Sequence, residues 1–259
     1  MSISLRLTAD LSFALALRIL GTRRGGSPIV HLDPCVAFGE GGGSRSVEGQ
    51  PTAEESEPAF NFPPRYSSPI VWISGFEPLE HPGIARITNT LASSGRHIFL
   101  ETSGLSLKHR LHEFQPTSRF YFAVRFEQPS PARDEHNSGA AKFRVGLDTL
   151  RMARLAGFLT CANLVVRTQA DIREWEKFHA ELCHLDVDGC LITAASAAPD
   201  LAGQVAEMRK RLVTRGWVLL SSLLESSAPL SASRSSGRMA HVVRSDSQAN
   251  PVSQSAEAG

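Results

Sequence analysis

Chemistry-bearing residues in this sequence gather where apolar, strand-like runs end. Gly75, Glu77 and Pro78 follow Pro69–Ser74 (PIVWIS), Thr102, Ser103 and Gly104 close His97–Thr102 (HIFLET), and Arg125 and Glu127 end Arg119–Phe126 (RFYFAVRF). A glycine lets backbone approach a ligand closely, and a carboxylate such as Glu77 can pair with an α-amino group. The hydroxyls of Thr102 and Ser103 suit a ribose or a carboxylate. Plainer roles stay open beside these. Gly75 and Gly104 can simply turn the chain, Glu77 can face the dipole of the helix that follows, and Arg125 can be an ion-paired strand end.

Such ends form one site only if the runs are parallel strands, because α/β folds build their sites from loops at the carboxyl ends of strands. The runs continue at Pro28–Asp33 (PIVHLD), Leu159–Val166 (LTCANLVV) and Val187–Thr193 (VDGCLIT), with Gly216–Leu220 (GWVLL) as a last strand candidate. They are short, β-branched and apolar on both faces, as buried parallel strands are. Between them, 83–94 places Ile84, Ile87 and Leu91 at helical spacing, and 140–156 does the same with Phe143, Leu147, Leu150 and Leu155 before a stop at Gly157. Residues 170–185 and 202–215 repeat the pattern. This alternation predicts βαβ units and an α/β fold.

The order of pieces in Trp72–Ser106, WISGFEPLEHPGIARITNTLASSGRHIFLETSGLS, resembles the radical S-adenosylmethionine (radical SAM) enzymes. In that family a GGEP-like turn follows the second barrel strand and a T-N-G-like turn follows the third. VRFEQ stands where many relatives carry V-S-L-D-G, with Arg125 for the serine and Glu127 for the aspartate. The stretch ARDEHNSGAAKFRVGLDTLRMARLAGF is similar to the family's H-D-x-x-R-G segment and long helix, with His136-Asn137 at His-Asp. The resemblance implies a partial (β/α)6 TIM-like barrel of the radical SAM type over 28–225. It also implies S-adenosylmethionine held by Gly75, Glu77, Pro78, Thr102, Ser103, Gly104, Arg125 and Glu127, and a 4Fe–4S cluster on three thiolates.

The cluster motif is where the chain departs from the family. The family spacing is C-x3-C-x2-C after the first strand, and HLDPCVAFGEGG supplies Cys35 with Gly39 and Gly42 at the next two positions. Glycine cannot ligate iron, so Cys35 is the remaining metal-ligand candidate. Cys161, Cys183 and Cys190 lie on later elements at spacings unlike a cluster or zinc motif. Asp134, Glu135 and His136 are adjacent and read as a solvated loop. Phe76 takes the place of the turn's second glycine. These departures describe a degenerate member that has lost its cluster and radical chemistry and serves as a SAM- or nucleotide-binding or accessory module. The alternative is an active enzyme that cleaves SAM to a 5′-deoxyadenosyl radical on an atypically ligated or partner-held cluster. A decayed reading frame is a third reading.

Composition sets outer bounds. The 259 residues are 42% hydrophobic, enough for one substantial core, and Lys+Arg 27 balances Asp+Glu 26. No basic, aromatic-interleaved patch points to nucleic acid, and there is no Walker A, G-x-S-x-G or H-E-x-x-H motif. Four sparse cysteines fit reduced thiols in a cytoplasm. Residues 1–27 are expected to form a helix lying across the barrel. Its apolar stretch, Leu11–Leu20, is about half the ~20 residues a membrane span needs. A peripheral membrane contact through residues 5–24, assisted by Arg23 and Arg24, is the other reading. The Gly-, Ser-, Pro- and Glu-rich segment 37–68 interrupts and erodes the first βα unit, and is expected to be a flexible insertion; 226–259 is expected to be a disordered tail.

Overall fold

The structure, a computed structural model, describes residues 4–20, 27–34, 68–127, 138–195 and 199–227. Six strands form one sheet: β1 (Ile29–Leu32), β2 (Ile70–Ile73), β3 (His97–Thr102), β4 (Phe120–Phe126), β5 (Leu159–Val166) and β6 (Gly189–Ala194). Every neighbouring pair is parallel and the spatial order follows the sequence, β1-β2-β3-β4-β5-β6. The helices are α1 (Leu5–Ile19), α2 (Ile84–Ser93), the short α3 (Leu107–Arg110), α4 (Ser138–Leu155), α5 (Gln169–His184), α6 (Pro199–Leu212) and α7 (Arg215–Ser227). Sequential parallel strands, with helices described between β2 and β6 and after β6, make this an α/β partial barrel of the TIM-like kind, as the alternation predicts. All of the expected flexible insertion but Ser68, the part of the first βα unit after β1 and Pro34, Cys35, the Asp134–His136 group and nearly all of the expected tail lie outside the described residues.

Side chains alternate across the sheet with the period of two that strands impose. Val71, Ile73, Ile98, Leu100, Phe120 and Phe122 pack beneath Ile84, Ile87 and Leu91 of α2 and Leu107 of α3. The inner face presents Trp72, Phe99 and Tyr121, whose rings stack with centroids 5.5 and 4.5 Å apart. Leu7 and Leu11 of α1 join this inner cluster. Asp10 meets His97 Nε2 at 2.9 Å and Arg119 at 3.5 Å, and so fixes α1 across the amino-terminal ends of β3 and β4.

Gly216–Leu220 is not a strand. It opens α7, because the apolar Trp217, Leu220 and Leu224, with Ser221 beside them, recur at a helical spacing that buries one face. This helix does what further strands would otherwise do. The outer edge of β6 would leave backbone groups unpaired. Instead Ile192 N donates to Ser221 Oγ at 3.3 Å, Ala194 N donates to Glu225 Oε1 at 2.6 Å, and Arg209 Nε of α6 donates to Ile192 O at 2.6 Å. At the other edge His31 of β1 bonds the Leu224 backbone, and Ser27 Oγ lies 3.3 Å from Ser227 Oγ. One helix thus bridges the open side of the half-barrel, with Trp217 filling the interior.

Candidate functional site

The turn after β2 is shaped by Gly75. Its φ of +127° disfavours any side chain, and a Cβ there would lie 2.3 Å from Asp33 Oδ2 at the end of β1. Phe76 follows with 71% of its surface exposed. Glu77 then caps a single 3-10 turn, Pro78–Glu80, in which Pro78 and Leu79 are buried. The Arg110 guanidinium steadies this segment by donating to the carbonyls of Leu79, His81 and Pro82 while paired with Glu113.

Glu77 ties this turn to the next one. Its Oε1 accepts the Thr102 hydroxyl at 2.6 Å, and its Oε2 accepts the Ser103 N–H at 2.8 Å and the Ser103 hydroxyl at 2.6 Å. Thr102 Oγ1 in turn accepts the Gly104 N–H at 2.9 Å. Gly104 has φ +87°, and a Cβ on it would sit 2.5 Å from Thr149 Oγ1. Its missing side chain lets α4 approach, and Thr149 donates to the Gly104 carbonyl at 3.2 Å. The sequence placed these residues at the ends of neighbouring strands; the structure adds that they bond one another.

Behind this lock lies a polar floor. Glu101 points inward from β3, accepting Trp72 Nε1 at 3.0 Å and Asn163 Nδ2 at 3.1 Å, and Thr193 Oγ1 donates to Asn163 Oδ1 at 3.1 Å. The Arg125 guanidinium of β4 stands 3.7 Å from Glu101 and 3.3 Å from Glu127, and Glu127 also pairs with Arg167. Burial pushes the Glu101 carboxyl above its ordinary range, and the nearby Glu77 adds to the push. Arg125 and the bonds from Trp72 and Asn163 oppose it.

Together these groups border an open cleft of about 540 Å³, within the size range of small-molecule sites. Gly75, Glu77, Pro78, Thr102, Ser103, Arg125 and Glu127 all line it, while Gly104 stands behind it and Leu105 takes its place at the wall. Glu101 and, from α4, Lys142 and Phe143 also line the cleft and were not singled out from sequence. Glu101 had one legible sign: a lone carboxylate at an inward position of a strand buried on both faces. Glu77, Glu101 and Glu127 face Arg125 and Lys142 across the cleft, with Arg167 also paired to Glu127, so the lining is polar and close to charge-balanced.

The thiols do not gather here. Cys161 pairs in register with Gly189, and Cys190 with Ala162, so the two sit one step apart and face opposite sides of the sheet. Burial pushes both thiols upward, away from the thiolate a metal needs. Cys183 is exposed on α5. Among the described residues no three His, Cys, Asp or Glu side chains are grouped to hold a metal ion. The described residues therefore bring no set of thiolates together for a 4Fe–4S cluster, and positions 35, 39 and 42 lie outside them.

The raised carboxyl of Glu101 has a signed consequence. In the pH range above about 4.5 and below its folded value, the fold retains a proton that the unfolded chain releases. This group's contribution is therefore most favourable at low pH and is lost as pH rises through the folded value. Glu101→Gln removes the buried charge and can rewire the Asn163 amide. We expect it to melt at or above wild type near about pH 8, with the gap closing toward about pH 5. Thermal melts at both values check this; a gap that widens on acidification would contradict it.

No family model and no curated protein matches this sequence. Among solved structures, the crystal structure of archaeal TYW1 matches with a TM-score of 0.40 and 17% identity, covering 56% of this chain and 50% of that one. The chain thus spans about half the length of that structure. A likeness of this size says nothing of activity. The fold assignment rests on the strand order, and the site on its own geometry.

Proposed function

We propose that the chain is a radical SAM-type partial barrel that has lost its cluster and radical chemistry, and that its cleft binds S-adenosylmethionine or a related nucleoside without turning it over. The observation that supports this most is the Glu77 lock. It joins the turns after β2 and β3, the two that carry the sequence resemblance, and leaves Gly75 and Glu101 bordering an open cleft. Loss of the cluster follows from Gly39 and Gly42 standing where two thiolates are needed.

Within that reading each group has a task. Gly75 shapes the wall by admitting the Asp33 carboxylate where a Cβ would stand, and Glu127 and, when ionised, Glu101 offer negative charge to an ammonium or sulfonium. Arg125, held between those two carboxylates, limits how much positive charge the cleft accepts and can receive a ligand carboxylate. Because Glu77 is engaged by the chain's own donors, it acts as a positioning residue. S-adenosylmethionine would supply only a binding partner here, since Gly39 and Gly42 stand where two of the cluster's thiolates are needed.

Iron and acid-labile sulfide, measured after anaerobic reconstitution of purified protein, test the loss of chemistry. The expected result is a colourless, folded protein with far less than one iron per chain. About four irons per chain with cluster absorption would sink the proposal.

A further inference from the structure

Among the described residues, the face of α1 turned away from the barrel is apolar and uncovered. Leu5 is 90% exposed, Phe13 67%, Ile19 84% and, just past the helix, Leu20 74%, so half of the large exposed apolar side chains among the described residues lie on this one element. Leu5, Phe13 and Leu20 recur at intervals that return to one side of a helix, and Ala9, Ser12 and Ala16 lie exposed between them. The opposite side is spent on the core through Leu7 and Leu11. A helix held that firmly carries the whole body with it wherever its outer face docks.

The charges in the sequence of this segment are mainly of one sign. Residues 1–27 contain Arg6, Arg18, Arg23 and Arg24 against the single acid Asp10. Asp10 is already engaged with His97 and Arg119. Arg6 is exposed and makes no hydrogen bond or ion pair among the described residues. An apolar stripe with the exposed Arg6 beside it, in a segment whose sequence holds four arginines and one acid, matches an anionic lipid surface, where apolar side chains enter the acyl boundary and arginines meet headgroups. No helix among the described residues is long and apolar enough to cross a membrane, so docking would be in the plane of the surface.

We propose that α1 is a monotopic docking helix that seats this protein on an anionic lipid surface through Leu5, Phe13, Ile19 and Leu20, with Arg6 at its border. The geometry adds a direction. Asp10, His97 and Arg119 place α1 at the amino-terminal ends of β3 and β4, whereas the cleft opens at the carboxyl ends. The docked protein therefore presents its cleft away from the bilayer and draws its ligand from water. This inference stands apart from what the cleft binds.

Flotation of the full chain with vesicles tests it, using phosphatidylcholine alone and phosphatidylcholine mixed with phosphatidylglycerol. The protein is expected to float with the mixed vesicles and to release as salt is raised. Phe13→Asp with Leu20→Asp should weaken binding by more than about tenfold, and Arg6→Gln by about fivefold. Because Phe13 and Leu20 are exposed, the double variant should keep the wild-type circular dichroism melt. Equal binding to both vesicle types would overturn the electrostatic part and with it the proposal. So would failure to float with either type, or a wild-type dimer that Phe13→Asp converts to monomer without any vesicle binding.

Discussion

Trp217→Ala is expected to destabilise the fold by about 3–5 kcal/mol, the cost of emptying a large aromatic site in a core. Trp217 is fully buried on the inner side of the barrel, with its ring edge-on to Phe99 and Tyr121 at centroid distances of 6.4 Å. It lies flat against Gly189, where a Cβ would come within 2.1 Å of the indole ring. The ring and the glycine are one packing unit shared between α7 and β6. Gly189→Ala should therefore cost about 1–3 kcal/mol or more through overpacking, although alanine suits a strand no worse than glycine does. Trp217→Phe should be far milder. The indole Nε1–H is buried without a hydrogen-bond partner, so removing it relieves a cost while most of the apolar contact remains. Urea unfolding curves rank the three. A Trp217→Ala protein as stable as wild type would mean that α7 does not close the half-barrel.

Glu77→Ala is expected to lower affinity for an S-adenosyl ligand by about 100-fold, through loss of geometry rather than of a direct contact. Three donors converge on this carboxylate at 2.6–2.8 Å, and hydrogen bonds to a charged acceptor are worth about 1.5–3 kcal/mol each. Alanine strands the Thr102 hydroxyl and both Ser103 donors, and frees the β2 turn from the β3 turn. Glu77→Gln keeps one acceptor oxygen but turns an N–H2 toward existing donors, so it should fall between alanine and wild type. Ligand titrations with a parallel melt separate this from unfolding. Wild-type affinity in Glu77→Ala would remove the lock from the account of the site.

Much of the frame was legible because burial leaves clear marks in sequence. HIFLET and LTCANLVV are apolar on both faces and bounded by turn residues, and β3 and β5 occupy those same residues. GWVLL misleads for the same reason. Five apolar residues fit a buried strand or one turn of buried helix equally well, and only the spacing through Leu224 separates them. At the site, strand ends located Glu77, Thr102, Ser103, Arg125 and Glu127, since α/β folds gather such ends together. The partners of Glu77 were not legible, because a hydrogen bond depends on turn geometry that residue types do not encode. Glu101 was hidden inside a strand that reads as core. Its role appears only once Trp72, Asn163 and Arg125 are seen to converge on it from three other strands.

The central claim is that a cleft built on the Glu77 lock binds its ligand with no cluster to help. Calorimetric titration of metal-free protein with S-adenosylhomocysteine, which carries the amino-acid and nucleoside parts without a reactive sulfonium, tests it most directly. The account predicts saturable one-to-one binding with a Kd below about 1 mM, lost in Glu77→Ala. Absence of binding to the folded, metal-free protein, with binding gained only after a cluster is reconstituted, would contradict it.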